Sequence, residues 1–183
     1  LTDPLPALVS RHRLLAMPDY QMVSVHDGGG PDRGTHGAIS RSTTDGAGGD
    51  EHWIVIACGN STVGVGFDIR IRSTEPPFEE RGEDAGFDRE HRFTVRFFEA
   101  ELVVDQGTMG SAAQIPLPCQ GSYGVRVRSW NQDTVMREGE AIDMQASEED
   151  WDLDFQREMH ERLDGKEHYA LDLWPVVTNA PVE

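Results

Sequence analysis

The sequence predicts a mainly β chain, a single antiparallel β-sandwich with one short amphipathic helix near 147–163. Three observations predict it. Val63, Val65, Phe67, Ile69 and Ile71 alternate with Gly64, Gly66, Asp68, Arg70 and Arg72, and side chains on a strand point alternately to opposite faces. The same period returns at Phe93, Val95 and Phe97 and at Tyr123, Val125 and Val127, with arginines between them. Turn residues separate these runs, and only one segment carries a helical period. A chain of 183 residues forming one domain over 1–183 buries roughly 70% of its unfolded surface. It needs no disulfide framework, and Cys58 and Cys119 are expected to be reduced and buried.

The elements follow in order. Strands are expected at 8–17 and 20–26, broken by Pro18. The polar segment 27–50 has no apolar period and reads as a mobile loop. The continuous apolar run at 52–58 suits a buried central strand, and the alternating 62–72 segment follows it. An acidic loop with the Pro76-Pro77 breaker occupies 75–90. The next strand, 92–104, changes parity near Phe97–Glu99, which predicts a bulge or bend. Strands at 114–117, 122–130 and 168–174 complete the set, the last closed by Pro175. Within 147–163, Trp151, Phe155, Met159 and Leu163 recur every four residues, and Ser147 with Asp150 fits the start of a capping box. That stripe reads as core.

Charge narrows the function. A net charge of −17 is the wrong sign for a nucleic-acid binder or for an anionic membrane surface, and it attracts basic partners. No run approaches the roughly 18 apolar residues of a membrane span. Leu1–Pro6 shows no basic-then-apolar leader, so a cytoplasmic location is expected. The segment 138–167 reads as an acidic insertion: it holds twelve carboxylates against Arg157, Arg162 and Lys166. Two arrangements stay open for it. It lies across the strand arginines Arg70, Arg72, Arg92, Arg96, Arg126 and Arg128, or it docks a basic partner. Six arginines cannot match twelve acids.

Catalytic patterns are not legible. His160-Glu161 lacks a second histidine at the zinc-protease spacing, and Gly28-Gly29-Gly30 leads into no helix. Ser61, Ser122 and Ser129 have no nucleophile-elbow context. The expectation is a non-enzyme with no metal and no cofactor. The alternatives are a small-molecule or enzymatic pocket between the sheets and a purely structural domain.

Several short stretches resemble a small bacterial group that includes the competence-locus inhibitors of the DNA-entry nuclease in bacilli, and related uncharacterised actinobacterial proteins. They are residues 19–27 (Asp-Tyr-Gln-Met-Val-Ser-Val-His-Asp), the strands Phe67–Arg72 and Phe93–Val104, Leu117-Pro118 with Gly121–Val127, and Glu167–Trp174. The resemblance covers about half of the chain. It implies a β-sandwich and permits a nuclease-inhibitor or immunity-like role. No inhibitory residues carry over from the resemblance; the acidic charge of 138–167 by itself points to a basic protein partner, a nuclease or toxin, met by Glu148, Glu149, Asp150, Asp152, Asp154 and Glu158. A dense carboxylate face offers such a partner a field like that of a polyanion.

Overall fold

The computed structural model describes residues 7–29, 36–77 and 85–176. Its first half runs β1 (Leu8–Ala16), β2 (Met22–Asp27), α1 (His36–Asp45), β3 (Ala47–Gly49), β4 (Trp53–Ala57) and β5 (Val65–Arg72). Next come β6 (Arg89–Phe97), β7 (Glu101–Asp105), β8 (Ser111–Pro116) and β9 (Gly121–Trp130). The chain then forms α2 (Gln132–Glu149), α3 (Leu153–Glu161) and β10 (His168–Pro175). One sheet has the order β1-β5-β10-β9-β6 and the other β3-β4-β2-β7-β8. All pairs are antiparallel except β5 with β10.

The period of two places the core. Ile71, Leu173 and Val125 form one row across the first sheet, and Ile69, Leu171 and Val127 form the next. These six residues are buried in one cluster with Val23, Val25, Ile54, Ile56, Leu102 and Val104 of the second sheet. Val63, Val65 and Phe67 are buried as the alternation requires. Phe93 departs from expectation: it is half-buried and packs against the margin of the core, while Val95 and Phe97 of the same strand are buried.

The bend expected near Phe97–Glu99 is present and carries the chain from one sheet to the other, with Ala100 at φ 50° and Asp27 Oδ1 accepting from the Phe98 and Glu99 amides at 2.9 and 3.0 Å. Three other expectations need correction. The 27–50 segment holds α1 and β3 rather than a continuous loop. Its helix packs through the small residues Ala38 and Ser42, which hydrophobic periodicity does not register. A Cβ on Gly48 would lie 2.1 Å from the Ala38 carbonyl oxygen, so only glycine lets β3 come this close. The helix expected at 147–163 is instead two helices with a break at 150–152. Cys58 and Cys119 are both free thiols, but Cys119 is exposed.

The largest departure concerns the arginines. Alternation assigns them to the face away from the core, which usually faces water, yet Arg70, Arg126 and Arg128 are buried. Carboxylates meet them, from neighbouring strands for Arg72, Arg126 and Arg128 and from the same strand for Arg70. Asp172 lies 2.6 Å from Arg72 and 3.0 Å from Arg126, Glu90 lies 2.8 Å from Arg128, and Asp68 lies 2.7 Å from Arg70. Described residues between β5 and β6 touch this layer. The Phe87 ring sits 5.0 Å from the Arg128 guanidinium, and the Pro77 carbonyl accepts from Arg126 at 3.5 Å. Burial alone would raise the Asp68 and Glu90 carboxyls, but hydrogen bonds and charge from their arginines hold both below the usual range. The acidic helices therefore do not lie across these arginines.

One turn is strained. Asp19 and Met22 exchange backbone hydrogen bonds of 3.0 and 2.9 Å around Tyr20 and Gln21, whose φ values are 48° and 61°. Positive φ at both central positions is the pattern of a type I′ turn, which prefers Asn-Gly. Replacing Tyr20 by Asn and Gln21 by Gly is expected to raise the urea midpoint, a gain of about 1–2 kcal/mol.

Candidate functional site

Residues 131–167 leave the first sheet between β9 and β10, two hydrogen-bonded neighbours. The excursion is anchored at its base by a small apolar cluster of Val63, Val135 and Leu163, with Ile142 against it. Gln132 Nε2 donates to the Ala57 carbonyl at 2.6 Å, and Lys166 pairs with Glu138 at 3.1 Å. Gly139 gives way to Asn60: a Cβ there would meet Asn60 Nδ2 at 2.2 Å.

The break between α2 and α3 has a local cause. Asp150 takes a left-handed conformation (φ 52°), and its N–H closes on the Ala146 carbonyl. Asp152 then restarts the helix, its Oδ1 accepting from the Phe155 amide at 2.8 Å. Ser147 is inside α2, so the expected capping box does not form. Aspartate at 150 and 152 suits a cap and a turn better than a helix interior.

A clamp holds the two helices together. Asp143 Oδ1 accepts from Gln156 Nε2 at 2.8 Å and lies 2.9 Å from His160 Nε2. His160 Nδ1 is 3.3 Å from Thr62 Oγ1, which donates to Asn60 Oδ1 at 2.7 Å. His160 is buried and bridges α2, α3 and the 58–63 turn. A cleft of about 220 Å³ opens here, lined by Thr62, Asp143, Leu153, Gln156, Arg157 and His160. Among the described residues, no group of three or more His, Cys, Asp or Glu is placed to hold a metal ion.

Glu148, Glu149, Asp150, Asp152, Asp154 and Glu158 are all exposed; Glu148 and Glu149 end α2, Asp150 and Asp152 lie in the break, and Asp154 and Glu158 lie in α3. Asp154 pairs with Arg157 at 3.0 Å and Glu158 with Arg162 at 2.9 Å. Exposed pairs of this kind contribute about 0–1 kcal/mol and leave the local field negative. Glu149 accepts from Gln145 Nε2 and from Trp151 Nε1, both at 2.9 Å, which holds its carboxyl below the usual range. Glu148 and Asp150 have no ion pair among the described residues.

Sequence reasoning missed the apolar part of this surface. Phe155 was read as core and is 40% exposed, and Leu153 and Met144 are 81% and 65% exposed. Trp151 stacks edge-on against Phe155 at 4.7 Å rather than entering the core. Leu163, from the same stripe, is buried, but it lies beyond the end of α3. A split helix changes which side of each turn faces the body, and the four-residue spacing carries no trace of that.

The fold thus defines a class: a two-sheet β protein with a charged helical excursion between neighbouring strands. Its architecture is similar to that of ComJ from Bacillus subtilis, described as an inhibitor of the DNA-degrading activity of NucA. That likeness covers 94% of this chain and 100% of ComJ, with a TM-score of 0.54 and 11% identity. It bears out, at the level of fold, the resemblance read in the sequence. A second structure, named for crocagin biosynthetic gene J, matches over 94% of this chain and 99% of its own with a TM-score of 0.49 and 14% identity. No protein-family model matches the chain, and no curated protein does.

Proposed function

We propose that this chain is a non-enzymatic binding module of the inhibitor kind, whose α2–α3 elbow engages a basic protein partner. The observation that carries this reading is the composition of the elbow. Exposed Met144, Leu153 and Phe155 stand among six exposed carboxylates. Carboxylates steer a basic partner and set the salt dependence of association, while large apolar side chains supply the area that leaves water on docking. The similarity in fold to ComJ supports a DNA-degrading nuclease as the partner class. Such an enzyme carries a basic surface for its polyanionic substrate, and a carboxylate-rich elbow competes for it. The alternative of a pocket between the sheets gains no support, since the space there is filled by the shared apolar cluster.

Affinity capture from the source organism, at low and at high salt, tests the reading. A second bait carries Glu148, Glu149, Asp150, Asp154 and Glu158 changed to lysine and Asp152 changed to asparagine, which keeps the helix cap. The wild-type bait is expected to retain a basic protein at low salt and release it at high salt, and the reversed bait to retain none of it. A captured protein that ignores both salt and charge reversal would sink the proposal.

A further inference from the structure

We infer that the outer face of the second sheet carries a receptor for a guanidinium group, formed by the turn at Asp19–Met22, the β7–β8 turn and Trp53. A cleft of about 240 Å³ lies there, lined by Asp19, Tyr20, Met22, Trp53, Asp105 and neighbouring residues. None of its lining residues belongs to α2 or α3, and the inference stands apart from the proposed function. Cofactor and small-molecule sites run to roughly 300–1,000 Å³, so this volume suits one side chain rather than a whole cofactor.

The chemistry of the walls selects the occupant. Aromatic rings face the space from two elements, and a planar cation binds over such rings more strongly than a neutral group does. Two carboxylates join them. Asp19 Oδ2 accepts from the Thr108 amide at 2.8 Å, and Asp105 Oδ1 accepts from the Gly107 amide at 3.0 Å. Each carboxylate keeps further acceptor capacity, because two oxygens offer about four lone-pair positions.

His26 backs both Trp53 and Asp105. His26 stacks on Trp53 with ring centres 3.9 Å apart, and its Nδ1–H donates to the Asp27 carbonyl at 2.8 Å. Its Nε2 is buried and lies 3.5 Å from Asp105 Oδ2, which fixes that carboxylate at the wall of the cleft. Guanidinium offers five N–H groups in one plane, which suits the oxygens that Asp19 and Asp105 keep free.

The site is also built in advance. A Cβ on Gly107 would lie 2.5 Å from Asp19 Oδ2, so the Asp19 carboxylate is seated directly on the β7–β8 turn. Gln106 Oε1 accepts from the Met17 amide at 2.6 Å and ties the same two segments together. Tyr20, 81% exposed, is presented from a left-handed conformation that a tyrosine rarely adopts. Strain of this kind collects where the backbone serves a ligand rather than stability. A rigid rim lowers the ordering cost of binding.

The test is an NMR titration of the isotope-labelled full chain with N-acetyl-arginine methylamide. Its citrulline counterpart has the same shape without the charge, and its lysine counterpart has the charge without the plane. The arginine compound is expected to shift the Tyr20 and 105–108 amides and the Trp53 indole along one saturating curve. The citrulline and lysine compounds are expected to bind at least about tenfold more weakly. Asp105→Asn, which keeps an acceptor for Gly107, is expected to lose about tenfold, as is Tyr20→Ser at a solvent-facing position. Both variants should keep the backbone spectrum of the parent outside the cleft. Equal response to citrulline, equal response to lysine, shifts confined to α2 and α3, or no response in the millimolar range would each overturn the assignment. The charge-reversed elbow variant should bind the arginine compound as the parent does, so failure of one reading leaves the other standing.

Discussion

Asp172→Asn is expected to cost about 3–5 kcal/mol of folding stability, the range found when one partner of a buried ion pair is removed. Asp172 is buried between Arg72 at 2.6 Å and Arg126 at 3.0 Å. Asparagine keeps the volume and one acceptor, but removes the charge that compensates Arg126, itself buried. Arg126 Nε already has no hydrogen-bond partner among the described residues, so little is in reserve. Urea denaturation should show the full loss, while the exposed control Asp154→Asn should stay within about 0.5 kcal/mol. A loss at Asp172 as small as the control's would mean that the arginine layer is open to water and contributes nothing.

Glu167→Gln is expected to stabilise the protein above neutral pH and to leave it unchanged in acid. Glu167 is fully buried, and burial pushes its carboxyl up to about 7 against the hydrogen bonds from Tyr169 and the Gly59 amide. A folded-state value above the ordinary 4.5 means that the protonated form is the one folding favours. The contribution is present in full below about pH 4.5 and is lost as pH rises through about 7. The difference amounts to about 3 kcal/mol at 1.36 kcal/mol per unit. Geometry agrees with the sign. Tyr169 Oη has one hydrogen and two acceptors in reach, Glu167 and the Ala57 carbonyl at 3.1 Å. A protonated Glu167 can donate to Tyr169, which then donates to Ala57, and a glutamine amide reproduces that chain. Asp68 and Glu90 work in the opposite direction, losing their stabilisation in acid, so the test is the difference between variant and parent. Melting curves from pH 4 to 9 should diverge through about pH 5–7. Parallel curves would mean that Glu167 stays ionised at little cost.

Where alternation was clean, the sequence was sufficient. Val63 to Ile71, Tyr123 to Val127 and Leu171 with Leu173 are buried where period two places them. Alternation assigns a face, but it does not tell what covers that face. The arginines of β5 and β9 could therefore be assigned either to the acidic segment or to open surface, when Asp172, Glu90 and Phe87 are what meet them. The parallel partnership of β5 with β10 joins segments with no local signal between them. The short helix α1 escaped because its contact uses Ala38 and Ser42 rather than large apolar residues. At the elbow, the carboxylates were visible as charge, whereas the exposure of Leu153, Met144 and Phe155 depends on the break at Asp150.

The most direct measurement of the central claim is DNA degradation by the captured partner, titrated with this chain. The wild-type chain is expected to halt degradation near equimolar amounts at low salt and to lose its grip as salt rises. The chain reversed across 148–158 should melt at nearly the parent's temperature and yet leave degradation running. Equal suppression by the two chains, or a captured partner that degrades no DNA, would contradict it.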